Sequence, residues 1–159
     1  MKNHPETTVG HIHLTVADLD RSLFFYRDLL GFEISARYGK SAVFLSAGGY
    51  HHHIGLNTWS GPDAVPPPQG HTGMYHVAFL YPNRRELARV LKHLIDSGYP
   101  IDGTADHGVS EAIYMKDPDG NGVEIYCDRP KSEWKVGNDG MVEMVTEHLD
   151  IDSLLVELK

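Results

Sequence analysis

The chain has 159 residues, which at ~100–200 residues per domain corresponds to one domain or to two small modules sharing a core. Hydrophobic residues make up 41% and charged residues 23%, as in an ordinary folded globular protein, so disorder is excluded as the main state. The net charge of −8, without a dense stripe of Lys and Arg, excludes nucleic acid as the expected partner. Eleven histidines and one cysteine exclude a thiolate zinc cluster and an intrachain disulfide, so imidazole and carboxylate must hold any metal.

The sequence carries no targeting or membrane signal. The first ten residues, MKNHPETTVG, lack an apolar core, and no stretch reaches the ~18 consecutive apolar residues that a membrane span requires. We therefore expect a cytoplasmic protein without membrane association.

The first sixty residues predict a strand, a helix and three further strands. HIHLTV, residues 11–16, alternates apolar and polar residues as a half-buried strand does. Asp18 is a good N-cap, apolar residues then recur at helical spacing, and Gly31 ends the helix. Three strand-like segments separated by glycines follow, at 32–38, 41–46 and 53–59.

The same order of elements repeats from residue 75. YHVAFLY predicts a strand, and Asn83 with Glu86 resembles a capping pair before a helix that ends at Gly98 and has Ile95 on its apolar face. Three more strands are predicted at 100–105, 111–116 and 122–127. By this repeat His11 aligns with His76, and His53 aligns with Glu124.

The predicted fold class is α+β. Two βαβββ modules are expected, at 8–59 and 74–128. The Pro-rich stretch 60–73 is the expected linker, so that residues 1–130 form a single domain. The tail, residues 131–159, is predicted to be a C-terminal extension with a short helix at 150–158.

Two histidines and a carboxylate are the candidate metal ligands. His11 and His76 lie near the start of equivalent strands, and Glu124 lies on the last strand of the second module. A histidine on a strand is usually a core or surface residue, but two histidines and one carboxylate at repeat-related positions form the set that suits Fe(II). His13, two residues after His11, is a rival ligand. If Glu124 faces the site, alternation leaves Val123, Ile125 and Cys127 to pack against helices.

The run of three histidines at 51–53 offers a proton carrier. Alternation predicts His51 and His53 on one face and His52 on the other, and a neutral imidazole there can take and return a proton near neutral pH. An exposed triplet without a role is the alternative. His107 and Tyr114 are candidate hydrogen-bond donors to an anionic oxygen, although a strand tyrosine taken alone is more often a packing residue.

Three segments together carry a family resemblance: HIHLTVADLDRSLFFYRDLLGF, YHVAFLYPNRRELARVL and DPDGNGVEIY. Over about residues 8–128 the chain resembles the vicinal oxygen chelate superfamily, also called the glyoxalase/bleomycin resistance/dioxygenase superfamily, and is most similar to its catechol 2,3-dioxygenase type. The resemblance implies that the two modules form a curved mixed sheet, a partial barrel around a metal site, with the helices outside. It implies Fe(II), with Mn(II) or another divalent ion as the alternative, held by His11, His76 and Glu124. It further implies His53, the second histidine of an HH pair, as the acid/base, assisted by His107 and Tyr114.

The implied reaction is extradiol cleavage of a catechol-like aromatic diol by O₂, a step of aromatic catabolism. The alternatives are another metalloenzyme of the superfamily, such as a glyoxalase-like lyase, an epimerase or a fosfomycin-type thiol transferase, and a metal-free binding protein of the bleomycin-sequestering kind. Glyoxalase I is disfavoured, because its relatives place a carboxylate or amide ligand where this chain has His53-Ile54. Many extradiol enzymes have four modules and this chain has two, which leaves a homodimer open.

Overall fold

Each half of the chain folds as a strand, a helix and three strands, as the repeat predicts. The computed structural model describes residues 1–61, 63–68 and 70–159, so positions 62 and 69 of the predicted linker lie outside the described residues. The chain divides into two units, residues 1–67 and 68–159. Each unit has its own four-stranded mixed sheet, which confirms the predicted α+β class.

The described residues of the first unit form four strands and one helical segment. Its elements are β1 (Ile12–Thr15), α1 (Leu19–Leu23) continued by a π-helical stretch (Phe24–Leu29), β2 (Glu33–Tyr38), β3 (Ala42–Ser46) and β4 (Ile54–Asn57). The strand order is β1-β4-β3-β2, with β1 and β4 parallel and the other pairs antiparallel. The parallel pair puts His11, just before β1, beside the histidines at 51–53, just before β4.

The first helix begins and ends at the predicted residues but contains an unpredicted π-helical stretch. Asp18 accepts a hydrogen bond from the backbone N–H of Arg21 at 2.7 Å, and Gly31 ends the segment with φ of 84°. The consecutive residues Phe25 and Tyr26 are both fully buried. An i→i+5 turn is wider than an α-helical turn, which lets two neighbouring aromatic side chains enter the same core.

The second unit repeats the topology. Its elements are β5 (Val77–Leu80), α2 (Arg84–Asp96), β6 (Gly103–Asp106), β7 (Ser110–Lys116) and β8 (Gly122–Asp128), in the sheet order β5-β8-β7-β6. Asn83 caps α2 by accepting the N–H of Glu86 at 3.0 Å, and Gly98 follows the helix with φ of 66°, both as predicted. Ile95, predicted on the apolar face, is instead 46% exposed, because it lies at the edge of that face, beyond the fully buried Leu94.

The C-terminal extension, residues 131–159, packs onto the rest of the second unit. It contains a 3₁₀ turn (Lys131–Glu133) and α3 (Ile151–Leu155), which a second 3₁₀ turn (Val156–Leu158) continues; this confirms the predicted short helix. Leu149 and Leu154 are buried. In α3, Ser153 accepts a hydrogen bond from the Arg84 guanidinium at 3.2 Å. Across the described part of the chain, no helix is both long and apolar enough to cross a bilayer.

The strand registers correct two predictions about the first unit. The strand predicted at 53–59 begins only at Ile54. Residues 51–53 form a bend before it, so the strand alternation expected for them does not apply. Ile12 pairs with Ile54 as Val77 pairs with Val123. The equivalent of Glu124 is therefore Gly55, and the alignment of Glu124 with His53 is wrong by two residues. In the second unit, the strand predicted at 100–105 corresponds to β6, which begins at Gly103 and ends at Asp106.

Candidate metal centre

The second unit brings a histidine and a glutamate into direct contact. His76, just before β5, places its Nε2 2.9 Å from Oε2 of Glu124 on β8, and the two side chains are 31% and 10% exposed. The Nδ1 of His76 is buried and has no hydrogen-bond partner among the described residues. Such an orphaned polar atom is rare in a core and calls for a functional explanation. No third His, Cys, Asp or Glu of the described part of this unit joins the pair to form a ligand group.

Gly122, at the start of β8, lets the backbone before β5 approach closely, which brings His76 to Glu124. A Cβ atom at Gly122 would overlap the backbone oxygen of Tyr75 and would lie 3.0 Å from the Cβ of His76. Any side chain there would push away the segment that carries His76. The preceding turn is fixed by Asp117, whose Oδ1 accepts the N–H groups of Asp119 at 2.9 Å and Asn121 at 2.8 Å. These hydrogen bonds position the hairpin that leads into β8.

The hairpin places Tyr114 directly opposite Glu124. The Tyr114 hydroxyl lies 2.6 Å from Nε2 of His107. Burial raises the pKa of Tyr114 to about 12, helped by the negative charge of Glu124 and by a hydrogen bond with it. The phenol therefore keeps its proton at neutral pH. Four predicted site residues, His76, Glu124, Tyr114 and His107, form one contiguous polar cluster in this unit.

Alternation along β8 follows the prediction. Val123, Ile125 and Cys127 are at most 1% exposed, on the side opposite Glu124. Burial raises the pKa of the Cys127 thiol to about 11, so the thiolate form is scarce at neutral pH. Cys127 is accordingly a packing residue.

In the first unit, His11 lies beside His52. Their ring centroids are 4.4 Å apart, and the ring of His52 also contacts Phe44 at 5.1 Å. The Nδ1 atoms of His51 and His52 are 2.7 Å apart; the prediction that these two neighbours face opposite sides is therefore wrong. Burial, followed by the charge of His11, lowers the pKa of His52. His52 thus favours the neutral imidazole form.

His53 is held in a different environment. Its Nδ1 accepts the backbone N–H of Ala47 at 3.3 Å and lies 3.3 Å from the Ser46 hydroxyl, and its ring lies 4.9 Å from that of Tyr50. A ring that accepts at Nδ1 carries its proton on Nε2 when it is neutral. Of the two histidines in the HH pair, His52 is the one in contact with His11.

His13 packs within an aromatic group of the same unit. Its ring centroid lies 5.8 Å from that of Phe44 and 5.4 Å from that of Trp59. Gly55 leaves room for it, because a Cβ there would lie 2.9 Å from Cγ of His13. The His13 side chain is nevertheless exposed, so these rings form an aromatic group at the surface of the unit.

Comparison with known proteins gives consistent matches. The family model described as Glyoxalase/Bleomycin resistance protein/Dioxygenase superfamily matches residues 8–125. A catechol-2,3-dioxygenase of Bacillus subtilis is 41% identical over 155 residues, which are 97% of this chain and 53% of that protein. Biphenyl-2,3-diol 1,2-dioxygenase 3 of Rhodococcus globerulus is 30% identical over 121 residues, 76% of this chain and 63% of that protein.

The fold is also found in solved structures. A glyoxalase/dioxygenase from Nostoc punctiforme matches with a TM-score of 0.65 at 22% identity, over 82% of this chain and 98% of that one. At this identity the likeness concerns the fold alone. The chain spans about half the length of the Bacillus subtilis relative.

Proposed function

Because the chain belongs to the glyoxalase/bleomycin resistance protein/dioxygenase superfamily, we propose that it is a metal-dependent extradiol dioxygenase that cleaves a catechol-like aromatic diol with O₂. The observation that carries the proposal is the His76–Glu124 contact, with Tyr114 and His107 hydrogen-bonded next to it. Its similarity to proteins named catechol-2,3-dioxygenase and biphenyl-2,3-diol 1,2-dioxygenase supports the same reaction.

The residues of the cluster fit a divalent metal. An imidazole nitrogen and a carboxylate oxygen 2.9 Å apart are two donors that one ion can share, and the unpartnered Nδ1 of His76 indicates a ring that core packing alone does not account for. We propose His11 as the third ligand, because it occupies the position equivalent to His76. This donor set suits Fe(II), with Mn(II) as the alternative. The bound metal would supply the redox chemistry between the diol and O₂.

The other residues would position and deprotonate the diol. Tyr114, which keeps its proton at neutral pH, presents a hydroxyl group next to Glu124, and His107 orients that hydroxyl. One histidine of the HH pair would remove a proton from the diol. His53 inherits this role from the family resemblance, whereas the contact of His52 with His11 supports His52 as a second candidate.

Oxygen uptake tests the proposed function. The purified chain is reconstituted anaerobically with Fe(II), and separately with Mn(II), and mixed with a panel of catechols and hydroquinones. We expect consumption of one O₂ per diol and the absorbance of a ring-opened product. Metal uptake without oxygen consumption would contradict the dioxygenase reaction and favour a lyase or transferase. A chain that takes up neither metal would be a binding protein.

A matched pair of variants tests the proton carrier. We expect His53→Phe to lower the rate of ring cleavage by about 100-fold, the size of a lost general base, while the metal content stays at the wild-type level. Single-turnover oxygen uptake and elemental analysis give the two quantities. A larger loss in His52→Phe than in His53→Phe would assign the proton to His52. Equal, small losses of rate in both variants would exclude both histidines as the group that removes the proton from the diol.

A further inference from the structure

The C-terminal extension pairs with the chain next to the polar cluster. Asp106, the last residue of the edge strand β6, and Glu147 exchange two backbone hydrogen bonds of 3.0 Å and 2.9 Å. The N–H of Val145 donates to the carbonyl oxygen of His107 at 3.2 Å. The segment 145–147 therefore runs along the edge where His107 lies, held by one antiparallel bridge, and the buried Leu149 and Leu154 anchor it downstream.

This segment contacts the side chain of His107 as well as its backbone. The carbonyl oxygen of Val145 lies 2.7 Å from Nδ1 of His107. A carbonyl oxygen only accepts hydrogen bonds, so Nδ1 must carry a hydrogen. In the neutral ring the other nitrogen, Nε2, then has a lone pair, and it faces the Tyr114 hydroxyl at 2.6 Å. The extension thus selects one of the two tautomers of His107.

The selected tautomer determines how Tyr114 uses its single hydrogen. The hydroxyl has two neighbours that can accept it, Nε2 of His107 and the carboxylate of Glu124. With a hydrogen fixed on Nδ1, a neutral His107 can only accept from Tyr114. If the tail contact were lost, the other tautomer would be available, and Nε2–H could donate to the hydroxyl, turning its hydrogen toward Glu124.

We propose that the segment 145–147 is a positioning element of the site: its Val145 carbonyl fixes the His107 tautomer and, through it, the direction of the Tyr114 hydroxyl. This role deepens the proposed dioxygenase function, which it presupposes for its catalytic consequence. The tautomer itself is a property of the metal-free chain and is measurable without any activity.

Nitrogen-15 NMR of the histidine rings tests the tautomer. Spectra are recorded on the metal-free full chain at about pH 8.5, two units above the ordinary histidine pKa, and the signals absent from His107→Gln identify His107. We expect a protonated Nδ1 and an unprotonated Nε2 in the wild type. A wild-type ring protonated on Nε2 would overturn the proposal, whatever the variants do.

Glu147→Pro and Glu147→Ala form the matched pair. Proline removes the N–H that binds Asp106, whereas alanine keeps the backbone donor and removes only the side chain. We expect a mixture of tautomers in the proline variant and the wild-type tautomer in the alanine variant. A wild-type spectrum from a folded Glu147→Pro chain whose Asp106 amide exchanges rapidly would contradict the proposal. Should that variant not fold, Val145→Pro, which removes the N–H that binds His107, replaces it.

Kinetics separate this inference from the proposed function. We expect Glu147→Pro to lower kcat for oxygen uptake about tenfold, the low end of the effect of an outer hydrogen-bond partner, with KM unchanged. In a His107→Phe background it should cause no further loss, because the tail acts through His107. A further tenfold loss there would indicate general destabilisation instead. Failure of the wild type to consume O₂ would overturn the proposed function and leave the tautomer result standing.

Discussion

Glu124→Gln is expected to weaken metal binding by at least about 100-fold and to abolish oxygen uptake, while the chain stays folded. The amide keeps the shape of the side chain and can still hydrogen-bond His76, but it removes the negative charge of a group that is only 10% exposed. A divalent metal ion bound through a carboxylate depends on that charge, and altering even an outer partner of a metal ligand costs about 10–100-fold in affinity or activity. Anaerobic calorimetric titration with Mn(II) or Fe(II) measures the metal affinity, and the melting temperature shows whether the variant stays folded.

Control variants make this result specific. Tyr114→Phe should bind metal as the wild type does, because we propose Tyr114 as a hydrogen-bond donor and not as a ligand. His11→Gln should weaken binding as strongly as Glu124→Gln does, whereas His13→Gln should not, since His13 packs against Phe44 and Trp59. Unchanged metal affinity in Glu124→Gln would show that the carboxylate is not a ligand.

Arg129→Met is expected to lower the free energy of unfolding by about 2–3 kcal/mol, the upper range for a lost hydrogen bond to a charged group, because the buried Glu111 carboxylate keeps its other partner, Arg84. Glu111 is 3% exposed, and its carboxylate binds Arg84 at 2.6 Å and Arg129 at 2.8 Å. Arg129 also binds Asp106 at 2.5 Å. In the variant, Glu111 keeps the guanidinium of Arg84, whereas Asp106 loses its ion pair with Arg129. Urea denaturation followed by circular dichroism measures the loss.

Arg89→Met is the matched control, because it removes the same charge from an exposed i,i+3 pair with Glu86. That change should cost no more than about 0.5 kcal/mol; equal losses in the two variants would show that burial of Glu111 is unimportant.

The loss in Arg129→Met should also depend on pH. The hydrogen bond from Arg129 lowers the pKa of Asp106. Its contribution is therefore fully present above the ordinary carboxyl pKa of about 4 and is lost as the pH falls through the depressed value. The stability difference between wild type and variant should narrow in acid. A difference that stays constant down to about pH 2 would contradict the assigned ion pair.

Elements fixed by local chemistry were predictable from the sequence. The caps at Asp18 and Asn83 and the helix ends at Gly31 and Gly98 depend on a few neighbouring residues, so their signals are local. The π-helical stretch was not predictable, because it depends on how Phe25 and Tyr26 fill a core that only the folded unit defines. The repeat predicted the topology, but counting through loops of unequal length gave the wrong partner for Glu124.

The polar cluster was predictable as a set of side chains and not as a network. His76, Glu124, Tyr114 and His107 were all indicated by residue type and family resemblance. The Val145 carbonyl that contacts His107 has no signal in the sequence, because every residue has a carbonyl and its role depends on where the extension packs. The contact of His52 with His11 likewise depends on a bend that strand alternation did not predict.

The registers also bear on the number of metal equivalents that the chain would take up. In the first unit His13 stands opposite Gly55, and its ring occupies the space of a side chain there. In the second unit Ala78 stands opposite Glu124. The larger side chain of this pair therefore lies on β8, whereas in the first unit it lies on β1. The two halves of the duplication have exchanged large and small residues at this pair, and only one half presents an acidic group. An internal repeat could have encoded two equal centres; for the proposed site we expect one metal equivalent per chain, which elemental analysis measures.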